Sequence, residues 1–376
     1  MTEPSWWRAR ELARETMPAG PVLTVTLASA LGSWAAEDLV ALGPVPHAAT
    51  SAMDGWAVSG SGPWRLDTGS GDLAAGSARP IVTGAVPPDG AEAVLQSEHG
   101  RIRGGLLHGP TPPPGRHLRP AGEEADAGDV LVTAGSPLTP ARLAVLAITG
   151  HDAVRVRRGP LARLLVTGDE LRSTGRPEPG TVRDVMTPML PPLLAALGAR
   201  VARRERLRDD PLAVAAAAAA PGVDLIVSAG GTGRSAVDPT EDAWHELDAR
   251  IVFRGVDMRP GHPASLAVLP DGRPWLALPG NPLAAAMTAL SFVPALSAGY
   301  RCDDVPPLDS AEAAEPFTSR AGTTLVPAIR TEAGLVAASA ARSHMLRGLA
   351  EADVVAVVPS EGVTAGGSVR VLPRVW

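Results

Sequence analysis

Two patterns of apolar residues divide this chain. Between residues 161 and 298, short apolar runs that end in glycine, LARLLVTG and VDLIVSAGG, alternate with the longer stretches VMTPMLPPLLAALG, DPLAVAAAAAA and NPLAAAMTALSFVPALSAG. Continuous short apolar runs are typical of buried parallel strands, while the long stretches are long enough for helices and alanine is the best helix former. The order strand, helix, strand, helix predicts a doubly wound α/β domain.

The sequence on either side of this section has a different pattern. PSWWRARELARETM places Trp6, Trp7, Leu12 and Met17 on one face of an amphipathic helix, and a second helix is predicted around residues 28 to 41. From Pro44 to about Arg119 the pattern predicts short strands broken by glycine and proline. SPLTPARLAVLAITG predicts a helix, and DAVRVRRG a strand after it. After Pro306, the runs TTLVPAIR, EADVVAVVP and SVRVLPRVW predict a small β-domain.

The composition limits the kind of protein. The chain has 376 residues, of which 45% are hydrophobic and 20% charged, so two to four globular domains are expected. A net charge of −6 argues against a nucleic-acid partner. The single cysteine, Cys302, excludes an intrachain disulfide and a cysteine-based metal site. The first residues lack the apolar run of a signal peptide. No apolar stretch reaches membrane-spanning length without a charged residue or a proline in it. We therefore expect a cytoplasmic protein without membrane contact.

Polar side chains in the 161 to 298 section fall where predicted strands end. VTGDEL places Asp169 and Glu170 after a strand, where they form either a functional pair or a solvated turn. LIVSAGGTGRSAVD places glycines before a helix, where backbone N–H groups can approach a phosphate, and Asp238 stands at the predicted helix start. MRPGHP offers Arg259, whose guanidinium can hold oxyanions. In LPGNP, Asn281 is a predicted helix N-cap before Pro282.

Further polar residues lie in the β-rich section. SAMDGWAV carries Asp54, IVTGAVPPDG carries Thr83, and RPAGEEADAGD carries Glu123 and Glu124. An Asp-Gly pair is by itself an ordinary turn signal. Carboxylates in both sections make a divalent metal site plausible, since Mg²⁺ prefers a few carboxylates together with phosphate oxygens.

These stretches occur in the order found in one protein family. The chain resembles the molybdopterin molybdotransferase family, known as MoeA in bacteria and as the gephyrin E domain in animals. The resemblance runs through SAMDGWAV, IVTGAVPPDGAEAV, TGDEL, RDDP, SAGG, RPGHP, LPGNP and LAEADVVAVVP. It covers nearly the whole chain, and the combination of motifs is far more specific than any one of them.

The resemblance implies an α/β multidomain fold in four parts and an elongated homodimer with its active site shared between subunits. The parts are a helical or linking domain (1–43 and 126–158), a mainly β domain (44–125), a doubly wound MoaB/MogA-like α/β domain (159–303) that binds molybdopterin, and a small C-terminal β-barrel-like domain (304–376). A molybdopterin-adenylylating enzyme and acceptor molybdoenzymes are the implied transient partners.

The resemblance also implies a reaction, in which adenylylated molybdopterin and molybdate are the substrates, AMP is released, and Mg²⁺ assists. The residues it implies to be catalytic are Asp54, Thr83, Glu124, Glu170, Asp209 and Asp238. Of these, the implied metal ligands are Glu170, Asp209 and Asp238. The implied binding residues for the cofactor substrate are Ser51, Gly230, Gly231, Thr232, Arg259, Pro279, Gly280, Asn281 and Pro282.

The chain departs from the family pattern at several of these positions. Glu124 stands where aspartate is common. AGGTGRS stands where SGGVSVG is usual, so that Gly233 replaces a serine and Ser235 replaces a glycine. Arg259 and His262 stand where lysines are usual, and Asp184, Val185 and Met186 replace an Asp-Ser-Asn triplet. An arginine keeps the charge of lysine and changes its geometry.

Two other functions are weighed against the transferase. SAGGTG is also similar to the glycine-rich turn of the related adenylylating domain, but a lone domain of that kind lacks the acids of the β-rich section. The third hypothesis is a divergent paralogue that binds the cofactor or a partner without turnover, and the substitutions motivate it. Carboxyl or hydroxyl groups at all six implied catalytic positions favour the enzyme.

Overall fold

The computed structural model describes residues 3–230, 239–319, 322–339, 345–372 and 375. Their contacts form two compact units, one of residues 22–157 and the other of residues 1–21 with 158–376. The helices described are α1 (Trp6–Thr16), α2 (Pro140–Ile148), α3 (Met186–Ala196), α4 (Pro211–Ala219), α5 (Pro239–Glu246), α6 (Pro282–Arg301) and α7 (Arg347–Glu351).

The strands described fall in the same two units. Those of residues 22–157 are β1 (Leu23–Thr26), β2 (Trp34–Ala35), β3 (Leu39–Val40), β4 (Thr50–Ser51), β5 (Gly55–Val58), β6 (Trp64–Leu66), β7 (Ser77–Ile81), β8 (Ala93–Gln96), β9 (Arg101–Arg103), β10 (Leu106–His108), β11 (Leu118–Arg119), β12 (Val130–Val132) and β13 (Ala153–Arg157). Those of residues 158–376 are β14 (Leu161–Thr167), β15 (Leu171–Arg172), β16 (Val182–Arg183), β17 (Arg200–Leu207), β18 (Leu225–Ala229), β19 (Arg250–Arg254), β20 (Met258–Arg259), β21 (Ser265–Val268), β22 (Pro274–Leu278), β23 (Asp309–Glu312), β24 (Thr323–Thr331), β25 (Gly334–Ala337), β26 (Val354–Val358) and β27 (Ser368–Leu372).

The unit of residues 22–157 is mainly β, as its glycine- and proline-broken pattern predicts. Its largest sheet has the order β8-β5-β7-β6-β10-β9, and all of its pairs are antiparallel except β6 with β7. Val58, Trp64 and Leu107 are buried together against this sheet. A smaller sheet, β1-β13-β2, packs its apolar residues with Leu146 of α2.

The helix predicted around residues 28 to 41 is not present. The segment forms a single 3-10 turn, Leu27–Ser29, and then the strands β2 and β3. β2 pairs with β13, and β3 pairs with β12, both in the antiparallel sense. Gly32, with φ of 73°, also leaves the helical region of backbone conformation. Pairing with strands ninety or more residues away in sequence thus outweighs the local helix propensity.

The other unit contains the predicted doubly wound α/β domain. Its sheet has the order β17-β14-β18-β22-β21-β19, in which the first four strands are parallel and the last two are antiparallel additions. Both predicted buried runs, β14 and β18, are central strands of this sheet. Asp210 caps α4 and Asn281 caps α6, each followed by proline at the first helical position.

Helix α6 is the core of this unit. Within the described ranges it is the one helix long and apolar enough to cross a membrane, with a mean hydropathy of 1.4 over its most apolar window. Since 89% of that window is buried inside the protein, its apolar character is accounted for by packing. The helix contains Pro294 and ends at Arg301, since the next residue, Cys302, has a φ of 64° and leaves the helical conformation.

The last part of the chain forms the predicted small β-domain. Together with β20, which comes from earlier in the chain, its strands are ordered β20-β24-β26-β27-β23, and β25 pairs with the other end of β24, on the same edge as β20. All of these pairs are antiparallel except β20 with β24. Its separate apolar core includes Phe317, Ala356, Val358 and Val371. The division of the whole chain into four domains stays a prediction.

Helix α1 packs against α6 and belongs by its contacts to the α/β unit. Trp6 is fully buried, and its indole N–H donates to the hydroxyl of Ser291 at 2.8 Å. The sequence pattern predicts that Trp7 shares this buried face, but Trp7 is 48% exposed. The reason is the helical period, because adjacent residues are about 100° apart on a helix and only one of two neighbours can point inward.

This difference between the two tryptophans predicts unequal costs of removing them. Trp6→Ala should lower the free energy of unfolding by about 3–5 kcal/mol, since it leaves a large cavity against α6. Trp7→Ala, the matched control on the same helix, should cost less than about 1 kcal/mol. Urea denaturation followed by circular dichroism measures both. Equal losses would show that α1 is not packed as described.

Candidate active site

The stretch SAMDGW forms a turn that leads from β4 into β5. The Ser51 hydroxyl donates to the carbonyl of Met53 at 2.6 Å, so this buried side chain shapes the turn. A β-carbon on Gly55, whose φ is 153°, would lie 2.0 Å from the carbonyl oxygen of Leu95, which excludes any other residue there. Trp56 is held on the next strand position. The turn therefore presents Asp54 from a fixed backbone.

Asp54 and Thr83, predicted from separate motifs, are brought together. The Asp54 Oδ1 accepts the backbone N–H of Thr83 at 2.7 Å and its hydroxyl at 2.9 Å. These two bonds, the backbone one above all, hold the pKa of the Asp54 carboxyl below its ordinary value. Both residues are exposed. The result is an oriented, negatively charged carboxylate at the surface of the β-rich unit.

Asp54 also lines a cavity of about 900 Å³ in the same unit. Trp56 and the exposed side chains of Val82 and Val86 contribute apolar walls. Arg79 in the wall forms an ion pair with Asp67. This volume lies in the range of small-molecule sites.

Glu124, the third predicted catalytic residue of this section, has a different hydrogen-bond partner. Its backbone N–H donates to the carbonyl of Val45 at 2.9 Å, and the residue is exposed. Within the described residues of the unit, no hydrogen bond or ion pair joins Glu124 to Asp54 or Thr83. Of the three catalytic residues predicted in the β-rich section, the structure thus brings two into contact, Asp54 and Thr83.

In the α/β unit, the parallel strands end at one edge of the sheet. Thr167 pairs with Leu207, and Ala229 lies in register with both Val166 and Leu278. The residues that follow these strands therefore meet at the carboxyl edge, where open α/β sheets bind ligands. The predicted residues placed there are Glu170, Asp209, Gly230, Pro279, Gly280 and Asn281.

Two glycines allow the strand ends to approach closely. A β-carbon on Gly230, whose φ is 111°, would lie 2.4 Å from the carbonyl oxygen of Thr167. A β-carbon on Gly280 would lie 3.7 Å from the Cα of Gly230. The end of β14 thus excludes a side chain at position 230, whereas a β-carbon on Gly280 would make only an ordinary van der Waals contact. Pro279 is buried, while Gly280 is exposed.

Three acidic residues surround the turn after β14. The backbone N–H of Asp169 donates to Oδ2 of Asp209 at 3.2 Å, which fixes this predicted metal ligand beside the TGDEL turn. Oδ1 of Asp169 is paired with Nε of Arg208 at 3.0 Å, and this contact lowers the pKa of the Asp169 carboxyl. Glu170 is exposed on the same turn, its carboxylate close to Gly168.

The RPGHP loop lies against the first turns of α6. A β-carbon on Gly261, whose φ is 114°, would lie 3.0 Å from the Thr288 hydroxyl and 3.6 Å from the Ala284 carbonyl oxygen. Arg259 on this loop is exposed. His262 has a local partner, since its Nε2 lies 3.0 Å from Oε2 of Glu3. The amide of Asn281 caps α6 through the N–H of Ala284, as predicted for this residue together with Pro282.

Gly231, Thr232 and Asp238, together with the substituted Gly233 and Ser235, lie outside the described residues. Helix α5 begins at Pro239, directly after Asp238. Among the described residues, no group of three or more histidine, cysteine, aspartate or glutamate side chains could hold a metal ion. The implied metal ligands Glu170 and Asp209 both lie just after the ends of parallel strands, and Mg²⁺ is usually held by one or two carboxylates together with substrate phosphates.

Sequence reasoning missed the arginines around the TGDEL turn. Besides Arg208, Arg206 donates to the carbonyl of Leu171, and Arg172 donates to the carbonyl of Asp169 at 3.2 Å. The available signal was the alternation of arginines in RRERLRDDP, since residues two apart in an extended segment share a face, although β17 itself ends at Leu207, before Arg208.

Comparison with known proteins gives the class first. The family model described as MoeA N-terminal region (domain I and II) matches residues 5–150, and the model described as probable molybdopterin binding domain matches residues 163–298. The crystal structure of a molybdopterin biosynthesis MoeA protein from Pyrococcus horikoshii covers 99% of this chain and 100% of its own, with a TM-score of 0.77 at 19% identity. This likeness confirms the predicted fold class.

Sequence relatives identify the family. Molybdopterin molybdenumtransferase 2 of Mycobacterium tuberculosis (strain CDC 1551 / Oshkosh) is 30% identical over 401 residues, covering 98% of each chain. The molybdopterin molybdenumtransferase of Haemophilus influenzae is 31% identical over 311 residues, covering 77% of this chain and 76% of its own. The chain belongs to the molybdopterin molybdenumtransferase family.

The Asp54–Thr83 contact predicts a measurable titration. Thr83→Val removes the hydroxyl bond and keeps the stronger backbone bond, so the pKa of Asp54 should rise only part of the way to its ordinary value. A lowered folded-state pKa stabilises the fold above the unfolded-state pKa, and this stability is lost as pH falls through the folded-state pKa. NMR titration of the Asp54 carboxyl measures the shift. An unmoved or fully ordinary pKa would contradict the described geometry.

Proposed function

We propose that this chain transfers molybdenum from molybdate to adenylylated molybdopterin and releases AMP. The observation that carries the proposal is that acids from the family motifs are held in fixed positions, Asp54 by Thr83 and Asp209 by the N–H of Asp169. The relatives' names supply the substrate class, since they are molybdopterin molybdenumtransferases. The adenylyl group and the role of Mg²⁺ come from the family resemblance.

The chemistry requires positioning and charge neutralisation more than covalent catalysis. Mg²⁺, held by Glu170, Asp209 and Asp238, would neutralise the phosphate oxygens of the adenylyl group. Gly280 is exposed and has no side chain, so its backbone would be open to a substrate phosphate. Arg259 would hold an oxyanion with its planar fork.

Asp54 contributes a different role in this proposal. Its low pKa keeps it charged near neutral pH, and its Oδ1 is already occupied by Thr83. The remaining oxygen, Oδ2, can accept a hydrogen bond. Asp54 would therefore orient a water molecule or a hydrogen-bond donor on the substrate. The adjacent cavity of about 900 Å³ has room for part of a large substrate.

We further propose a homodimer with the active site shared between subunits, in the cytoplasm, without a nucleic-acid or membrane partner. The predicted catalytic residues divide between the two units of the chain, which supports a site built from two subunits. Exposed apolar side chains on the β-rich unit, Leu31, Leu42 and Ile148, support a subunit contact. An adenylylating enzyme and acceptor molybdoenzymes would bind transiently.

Activity of the purified protein tests the reaction. With adenylylated molybdopterin, molybdate and Mg²⁺, the parent should release AMP and take up molybdenum. Glu170→Gln should lower the rate at least about a hundredfold, because it removes a charged metal ligand. Glu178→Gln, at an exposed acid in the next loop, between β15 and β16, is the control and should retain the parental rate. If the parent released no AMP, the result would favour the alternative, a protein that binds the cofactor without turnover.

Mixing two inactive variants tests the shared site. A heterodimer of Asp54→Ala and Glu170→Ala subunits has one intact site when each site takes one unit from each subunit. Full exchange should therefore restore about a quarter of the parental rate, because half of the dimers are mixed and each has one working site. Mass spectrometry of differently labelled subunits verifies the exchange. Absence of recovery after verified exchange would place each site within one subunit.

A further inference from the structure

Two arginines at the end of strand β17 face one cavity. Arg206 lies in β17, and Arg208 directly follows the last residue of this strand, Leu207. Both line a cavity of about 420 Å³ together with Gly168, Asp169 and Leu207. The cavity lies at the carboxyl edge of the sheet, where β14 and β17 end in register.

The partner of Arg208 is exchangeable. The Arg208 side chain is 85% exposed and that of Asp169 is 52% exposed, and an exposed ion pair contributes at most about 1 kcal/mol. A phosphate offers more charge and two oxygens in the geometry of the guanidinium fork, and it can therefore displace Asp169.

Arg206 has a fixed position beside this pair. One of its terminal nitrogens donates to the carbonyl of Leu171, which places the guanidinium against the TGDEL turn. The neighbouring Arg203 differs, since it is exposed on the same strand but does not line this cavity. A merely solvated basic strand does not account for the convergence of Arg206 and Arg208 on one cavity.

The cavity also adjoins the acids proposed to hold Mg²⁺. Asp209 accepts the N–H of Asp169, a residue that itself lines the cavity. An anion bound beside the two arginines would thus lie near a carboxylate that the proposed function assigns to the metal. Phosphate groups that bridge to Mg²⁺ are bound in surroundings of this kind.

We propose that Arg206 and Arg208 form a phosphate-binding subsite for the nucleotide phosphate of the substrate, with Asp169 as the internal competitor for Arg208. The proposal rests on the proposed function for the identity of the nucleotide. The phosphate displaces the Asp169 carboxylate from Arg208 on binding, and Asp169 returns when the phosphate leaves.

Binding of AMP compared with adenosine tests the subsite, because the two differ only in the phosphate. By isothermal titration calorimetry on the full chain, Arg208→Gln should weaken AMP binding about tenfold and leave adenosine binding unchanged. Arg208→Lys should recover part of the loss, since it restores charge without the fork. Arg203→Gln, which removes the same charge from the same strand, should bind AMP like the parent.

The variant Asp169→Asn separates a phosphate site from a structural ion pair. It keeps the backbone N–H to Asp209 and removes the competitor, so AMP should bind at least as tightly as to the parent. If Arg208 only positioned the turn through Asp169, both variants would weaken AMP binding alike, and that result would overturn the proposal. Equal AMP affinity of Arg208→Gln and the parent would overturn it as well.

Circular dichroism and thermal melting confirm that each variant is folded, as expected for exposed side chains. The proposal and the proposed function fail in different ways. If the parent bound AMP through Arg208 and yet released no AMP from adenylylated molybdopterin, that result would refute the proposed reaction, while the proposed subsite would stand. A parent that catalyses the reaction but binds AMP independently of Arg208 would refute the subsite alone.

Discussion

The carbonyl oxygen of Thr167 and the Cα of Gly230 lie so close that no side chain fits between them, since a β-carbon on Gly230 would be 2.4 Å from that oxygen. This close approach joins the ends of two central parallel strands, and Gly280 brings the end of a third next to them. The strand ends are therefore closely packed at this edge of the sheet. Acids and arginines lie around it at the turns, where polar groups remain in contact with water.

Backbone N–H groups hold two of the carboxylates that are predicted to be catalytic. Thr83 donates to Asp54 in the β-rich unit, and Asp169 donates to Asp209 in the α/β unit. A carboxylate held by a backbone donor keeps its charge and its orientation without a permanent counter-ion. Each is thus available to a metal, a water molecule or a substrate, whereas a carboxylate in a tight ion pair is neutralised.

Arginines add positive charge to the α/β site, beside the negative charge of its acids. Three of them contact the short turn after β14, and the chain has no lysine to share this task. Guanidinium groups can bond carbonyls and carboxylates at the same time as they face solvent, because they have five donors in a fixed plane. The turn is therefore held by side chains that are themselves able to bind anions.

The sequence by itself determined the elements whose pattern is local. The apolar runs of β14 and β18, the capped starts of α4 and α6 and the motifs of the family all follow from short-range chemistry, and they predicted the fold class and most of the residues at the carboxyl edge. Only the tertiary structure decided that residues 28 to 41 pair as strands, that Thr83 reaches Asp54, and that Arg206 and Arg208 face the TGDEL turn. These contacts join residues 29 to over 100 positions apart, and no local period of side chains encodes which distant partner a residue meets.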